Sequence, residues 1–175
     1  MPIPSIDQPK HGRREDVSPA DILVCMAALV PGSAAPAVAG IDFSSAPTVL
    51  WFYKVTCPIC QMAAPVAGTL ARAYPGRFTG IGQDPEKKLA EFDHDYGLGF
   101  DSRPDLPPYD VSNAYGIRVV PTMYMIGPEG IVLDAVESWD RDGYGRVARR
   151  MAELVGTTPA DLSGVTAGLP VFRPG

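Results

Sequence analysis

A strand-like run that leads straight into two cysteines three positions apart, and then into a helix-like run, constrains this chain more than any other feature. Residues 48–55 include Val49, Leu50, Trp51, Phe52, Tyr53 and Val55. β-Branched and aromatic residues with little polar alternation predict a central strand covered on both faces. Cys57-Pro58-Ile59-Cys60 follows at once. Residues 61–74 are rich in alanine and predict a helix, kinked at Pro65 and stopped by Pro75-Gly76. The cysteine pair is therefore expected at a strand-to-helix junction.

That placement has chemical consequences. A thiol reacts as its thiolate, and the first turn of a helix offers unpaired backbone N–H groups and a positive dipole end that favour the anion. Cys57 is placed to receive both. Cys60 lies one helical turn on, close enough to form a disulfide with Cys57 after Cys57 has attacked a target. The spacing makes a reversible two-electron switch, with Cys57 as exposed nucleophile and Cys60 as the more buried resolving thiol. Pro58 falls where a missing N–H costs little and stiffens the loop around Ile59, while Lys54 adds positive charge nearby. The bland alternative is two packing cysteines, since free cysteine is among the most buried residue types. The strand-to-helix placement favours the redox reading.

The rest of the chain fits an α/β architecture, a mixed central sheet flanked by helices with an N-terminal helical extension. Residues 77–83 read as a second strand, and Asp84-Pro85-Glu86 cap a helix with Leu89, Phe92 and Tyr96 on one face. Residues 97–110 are crowded with Gly, Pro and Asp and read as a loop; Ser112 is placed to cap a single turn through Tyr115. Residues 119–126 and 131–137 read as a hairpin around Gly127-Pro128-Glu129-Gly130, and 142–155 as a last helix. The expected organisation is a flexible leader (1–16), an N-terminal helix (17–30), a main domain (31–155) and a loosely held Gly/Pro-rich tail (156–175). The helix opens at Ser18-Pro19-Ala20-Asp21 and is apolar all round, so it seeks burial against the domain or a second copy, which leaves a homodimer open.

Composition excludes several function classes. At 175 residues, 46% hydrophobic and 20% charged, the chain is of ordinary globular composition and long enough to bury a core without staples. A net charge of -5 argues against nucleic acid, whose binding relies on clustered Lys and Arg. Three cysteines are too few for a disulfide framework, and Cys25 in the apolar run 22–30 reads as a buried, inert thiol. No apolar run approaches the roughly 18 residues of a membrane span. Asp93-His94-Asp95 sits on a helix where adjacent positions point apart, a solvated face rather than a ligand set, and His11 lies in the leader. No cofactor or metal is called for. Basic residues before the apolar run and small residues Ala37-Val38-Ala39 after it admit a signal peptide near 10–39, but Glu15, Asp16 and Asp21 intervene, so a cytoplasmic chain is the expectation and an exported one the alternative.

Trp51-Phe52-Tyr53, Cys57-Pro58-Ile59-Cys60, Ala64-Pro65 and Val120-Pro121-Thr122 together resemble the thioredoxin superfamily, in order over residues 31–155. Residues 31–36 and 112–117 resemble its redoxin branch, which includes TlpA and ResA. The resemblance implies a thioredoxin-like fold, a redox-active disulfide serving cell redox homeostasis, and protein dithiol or disulfide substrates with a separate redox partner. It implies further that Pro121 has a cis peptide bond beside the cysteines and that Val120 offers its backbone to an extended substrate. There are departures. Thr56 stands where many relatives have Trp, Trp51 stands where thioredoxins carry a buried acid, and no Glu follows Cys60 in the helix turn where ResA-like proteins keep one. The proton acceptor for Cys60 is thus left without a candidate.

Two rivals remain. A thiol peroxidase would use peroxide to oxidise Cys57 to a sulfenic acid, but Leu50 and Lys54 occupy places where peroxiredoxins carry Pro and Thr. A Cu(I)-binding module would use Cys57 and Cys60 as soft ligands. The direction of electron flow depends on a reduction potential that the motif alone does not fix.

Overall fold

The computed structural model describes residues 28–175. Strand β1 (Thr48–Tyr53) is buried at every position, and its side chains alternate between two cores, as a period of two demands. Val49, Trp51 and Tyr53 join one core, built from helices α1 (Pro58–Ala73), α2 (Glu86–Tyr96) and α4 (Arg141–Val155). Leu50 and Phe52 join the other, with Ile81, Tyr115, Tyr124 and Ile126. The near-continuous apolar run thus covers a strand at the centre of a sandwich of helices and loops.

β1 pairs in parallel with β2 (Phe78–Gly82) and antiparallel with β4 (Thr122–Ile126). With β3 (Ser102–Pro104) and β5 (Val132–Glu137) the order is β3-β2-β1-β4-β5. The register sets the C-terminal end of β1 beside the start of β4, with Phe52 opposite Thr122. This brings Cys57, just beyond β1, up against Val120.

Several expectations are corrected. The loop at 97–110 holds the edge strand β3 and a cis Pro107-Pro108 bond. Ser112 caps nothing: it lies buried inside helix α3 (Asp110–Ala114), and its backbone N–H donates to the Asp105 carboxylate. Asp84 is likewise no cap, because α2 starts after Pro85 without a side-chain cap. Helix α1 begins at Pro58 and continues through Pro65. The tail is not loosely held. Helix α5 (Ser163–Thr166) and strand β7 (Phe172–Arg173) belong to it, and β7 pairs antiparallel with β6 (Trp139–Asp140). Proline and glycine there shape a tethered path: the Trp139 indole N–H donates to the Pro170 carbonyl at 2.7 Å, and Arg141 bonds the carbonyls of Thr166 and Leu169.

The expected leader, Cys25, His11 and most of the expected helix at 17–30 lie outside the described residues; residues 28–30 are not helical. The segment that follows is part of the fold. Gly32 and Ser33 exchange backbone hydrogen bonds with Val132, the Tyr115 hydroxyl donates to Pro36, and Arg103 donates to the carbonyls of Ala39 and Gly40. No helix among the described residues is long and apolar enough to cross a membrane.

Candidate active site at the start of helix α1

Cys57 occupies the N-cap of α1, with extended backbone at φ -81° and ψ 116°. Pro58 supplies the first helical residue, where its ring presets φ and no N–H is lost from the ladder. The cap geometry turns the Cys57 sulfur toward the helix, so that the Cys60 N–H donates to Cys57 Sγ at 3.3 Å. On its other side the Cys57 thiol donates to the Val120 carbonyl at 3.5 Å. Cys57 is half-buried and Cys60 is fully buried; both are free thiols. Burial pushes the Cys60 thiol well above its ordinary value, against a smaller opposing effect of the Lys54 backbone amide.

The approach to Cys57 is held from three sides. The Val55 N–H donates to the buried Asp84 carboxylate at 2.9 Å, the Gln61 side chain donates to the Val55 carbonyl at 2.8 Å, and the Cys57 N–H donates to Lys54 at 3.1 Å. The Lys54 main-chain carbonyl is the acceptor there, and its side chain is half-exposed. Ile59 is half-buried and packs against the core.

Opposite the cysteines, the Val120–Pro121 bond is cis. Val120 is half-buried and Pro121 buried, and the Pro121 carbonyl accepts from the Ser138 N–H at 2.7 Å. Ser138 has φ 66°, an uncommon left-handed conformation for a residue other than glycine. The residues singled out from the sequence, Cys57, Cys60, Pro58, Ile59, Lys54, Val120 and Pro121, thus converge on one end of the sheet.

Sequence reasoning missed Asp84, Gln61, Ser138 and Tyr144. Trp51, placed where an acid was sought, donates its indole N–H to the Tyr144 hydroxyl at 3.0 Å, and both side chains are fully buried. Tyr144 stays neutral, its hydroxyl pushed up by burial, and it lies within electrostatic range of Cys60. A neutral aromatic pair, and not a carboxylate, thus stands within electrostatic range of Cys60. Only the Trp51 end of that pair had a sequence signal. The Tyr144 end comes from a helix more than ninety positions away in sequence, a separation of 93.

No protein-family model matches the chain, and comparison with curated proteins returns no match. Solved structures do match. DsbF of Mycobacterium tuberculosis, described in mixed oxidised and reduced forms, is 30% identical over 62% of this chain and 81% of its own, with a TM-score of 0.53. The thioredoxin domain of a thiol-disulfide oxidoreductase from Bacteroides vulgatus is 22% identical over 71% of this chain and 99% of its own, with a TM-score of 0.58. A thiol:disulfide interchange protein DsbE from Chlorobium tepidum is 18% identical over 66% of this chain and 84% of its own, with a TM-score of 0.57. The last two share the fold; DsbF also shares enough sequence to carry kinship. The chain belongs to the thioredoxin superfamily, in its redoxin branch of TlpA/ResA-like thiol-disulfide oxidoreductases.

Proposed function

We propose that the protein exchanges dithiol for disulfide with protein substrates through Cys57 and Cys60. The observation that carries this reading is the setting of Cys57 Sγ, between the Cys60 N–H at 3.3 Å and the Val120 carbonyl at 3.5 Å, with the Cys60 thiol buried one helical turn beyond. In the reducing direction the Cys57 thiolate attacks a substrate disulfide. A Cys57–substrate bond forms, the substrate S–S bond breaks, and one substrate sulfur leaves as a thiolate. Cys60 then gives up its proton and attacks Cys57 Sγ. The second substrate thiolate is released, two electrons have passed to the substrate, and the protein holds a Cys57–Cys60 disulfide. A separate thiol-disulfide partner restores the dithiol. The oxidising direction runs the same steps backward.

Val120 and Pro121 serve as the backbone ledge for an extended substrate, Pro58 and Ile59 shape the loop, and the Lys54 side chain contributes positive charge. Residues 31–155 form the thioredoxin-like domain in this reading. The cytoplasmic expectation draws no support from the similar structures. If the chain is exported, cleavage does not fall after Ala39, since that cut would remove residues paired to Val132 and bonded to Tyr115.

The test is a glutathione redox titration of wild type, Cys57→Ser and Cys60→Ser, with insulin reduction alongside. A two-electron transition lost in both variants, with a mixed disulfide trapped in Cys60→Ser, is expected. Thiols that titrate while insulin stays intact and peroxide is consumed would move the reading to a peroxidase. Failure to form any disulfide, with stoichiometric Cu(I) uptake, would move it to a metal module.

A further inference from the structure

The backbone at Val120 is closely approached by residues 170–175 of the same chain. From Pro170 onward the tail runs extended along β6: the Arg141 N–H donates to the Val171 carbonyl at 2.9 Å, and Trp139 and Asp140 pair with Arg173 and Phe172. The run ends on the active site. The Gly175 N–H donates to Ser138 Oγ at 3.0 Å, and a β-carbon at 175 would run into the Val120 carbonyl. That carbonyl is the acceptor of the Cys57 thiol.

We propose that residues 171–175 are a specificity-determining strap: they hold the Val120 ledge, so that an extended protein segment pairs there only when the strap lifts. This deepens the function proposed above and rests on it. The strap is held more lightly than the tail before it. Val171 and Phe172 are 58% and 59% exposed, so little apolar area ties it down, and its anchors are single hydrogen bonds that each contribute only about 1 kcal/mol net. Glycine at 175 is what permits the approach, because any side chain would meet backbone that cannot move aside. A small disulfide needs no ledge and can reach the half-buried Cys57 sulfur directly. The strap therefore separates substrates by class, slowing polypeptide disulfides and leaving small ones untouched.

The experiment compares pre-reduced wild type, Gly175→Val and a chain ending at Val171 in single-turnover reduction of two disulfides, insulin and 5,5′-dithiobis(2-nitrobenzoic acid). Gly175→Val should raise the insulin rate about fivefold, the equilibrium effect of losing roughly one net hydrogen bond, and the truncation, which removes the β6–β7 pairing as well, should raise it further, with the aromatic disulfide unchanged in both. An insulin rate that is unchanged or lower in both, with the aromatic disulfide still reduced through Cys57, overturns the strap and leaves the parent reading standing. Wild type that reduces neither disulfide overturns both. Independently, hydrogen exchange at the Phe172, Arg173 and Gly175 amides should quicken when a cysteine peptide is trapped on Cys60→Ser; unchanged protection overturns displacement of the strap.

Discussion

Cys60 carries no exposed surface, and burial raises its pKa. The unfolded chain has no such burial, so its thiol loses a proton first, near the ordinary value of about 8.5. In that range the unfolded state binds fewer protons than the folded one, and stability falls as pH rises. The dithiol form should therefore lose stability between about pH 8.5 and 10, where the buried tyrosines do not yet titrate, while the disulfide form, which has no Cys60 proton, stays flat. Urea denaturation of both redox forms across that window checks this; parallel curves would deny it. The resolving step should likewise keep accelerating with pH beyond the ordinary thiol range, read from decay of a trapped mixed disulfide. The placement of the cysteine pair at a helix N-terminus was legible in the sequence, since C-x-x-C between an apolar strand and an alanine-rich run predicts that junction. The surroundings of Cys60 were not, since Tyr144 reaches Trp51 through a contact that only the packing of α4 on β1 creates.

Elements meet through small residues and a few buried polar ties. Gly68 on α1 lies against the end of α2: a β-carbon there would meet the Gly97 carbonyl oxygen at 2.7 Å and Leu98 Cα at 3.2 Å. Helix propensity alone says Gly68→Ala stabilises by about 1 kcal/mol. The clash with backbone says the opposite, a net loss of about 1–3 kcal/mol, and the sign of the shift in denaturant midpoint decides between them. The Tyr53 hydroxyl ties β1 to α2 by donating to Asp93 at 2.9 Å, and burial holds that carboxyl above its ordinary value. Burial outweighs the tyrosine bond, which by itself favours the ionised carboxylate: the stability due to the buried protonated carboxyl is present below about pH 3.9 and is lost as pH rises through the raised folded value, so Asp93→Asn should flatten stability just above pH 4. Strand β1, the hairpin and the helices beyond the motif could be read from periodicity and turn residues. The short strand β3 could not, since its Ser102-Arg103-Pro104 has no alternation of its own and becomes a strand only by pairing with β2.

On the scale of the molecule, the tail is a structural member. The Tyr74 hydroxyl donates to the Ala148 carbonyl at 2.7 Å and accepts from the Ala160 N–H at 3.0 Å, and Pro170 satisfies the buried Trp139 indole. A chain ending at Val155 should melt at least about 5 °C lower, since losing two buried partners costs about 2–3 kcal/mol, whereas one ending at Val171 keeps both and should melt close to wild type. Thermal melts of the two truncations separate these roles. Composition pointed to a loose tail because Gly, Pro and Thr lack periodicity, and tertiary hydrogen bonds leave no periodic trace. The two borders of the sheet have a further consequence. At one border β3 has three residues and ends in Pro104; at the other, Val132 is paired with Gly32 and Ser33, and the Leu133 carbonyl accepts from Arg150. A thiol-disulfide oxidoreductase that acts on proteins meets extended polypeptide segments able to join an open strand. Borders that are short, proline-stopped or already bonded turn those chains away, which protects the enzyme from being recruited into its own clients' aggregates.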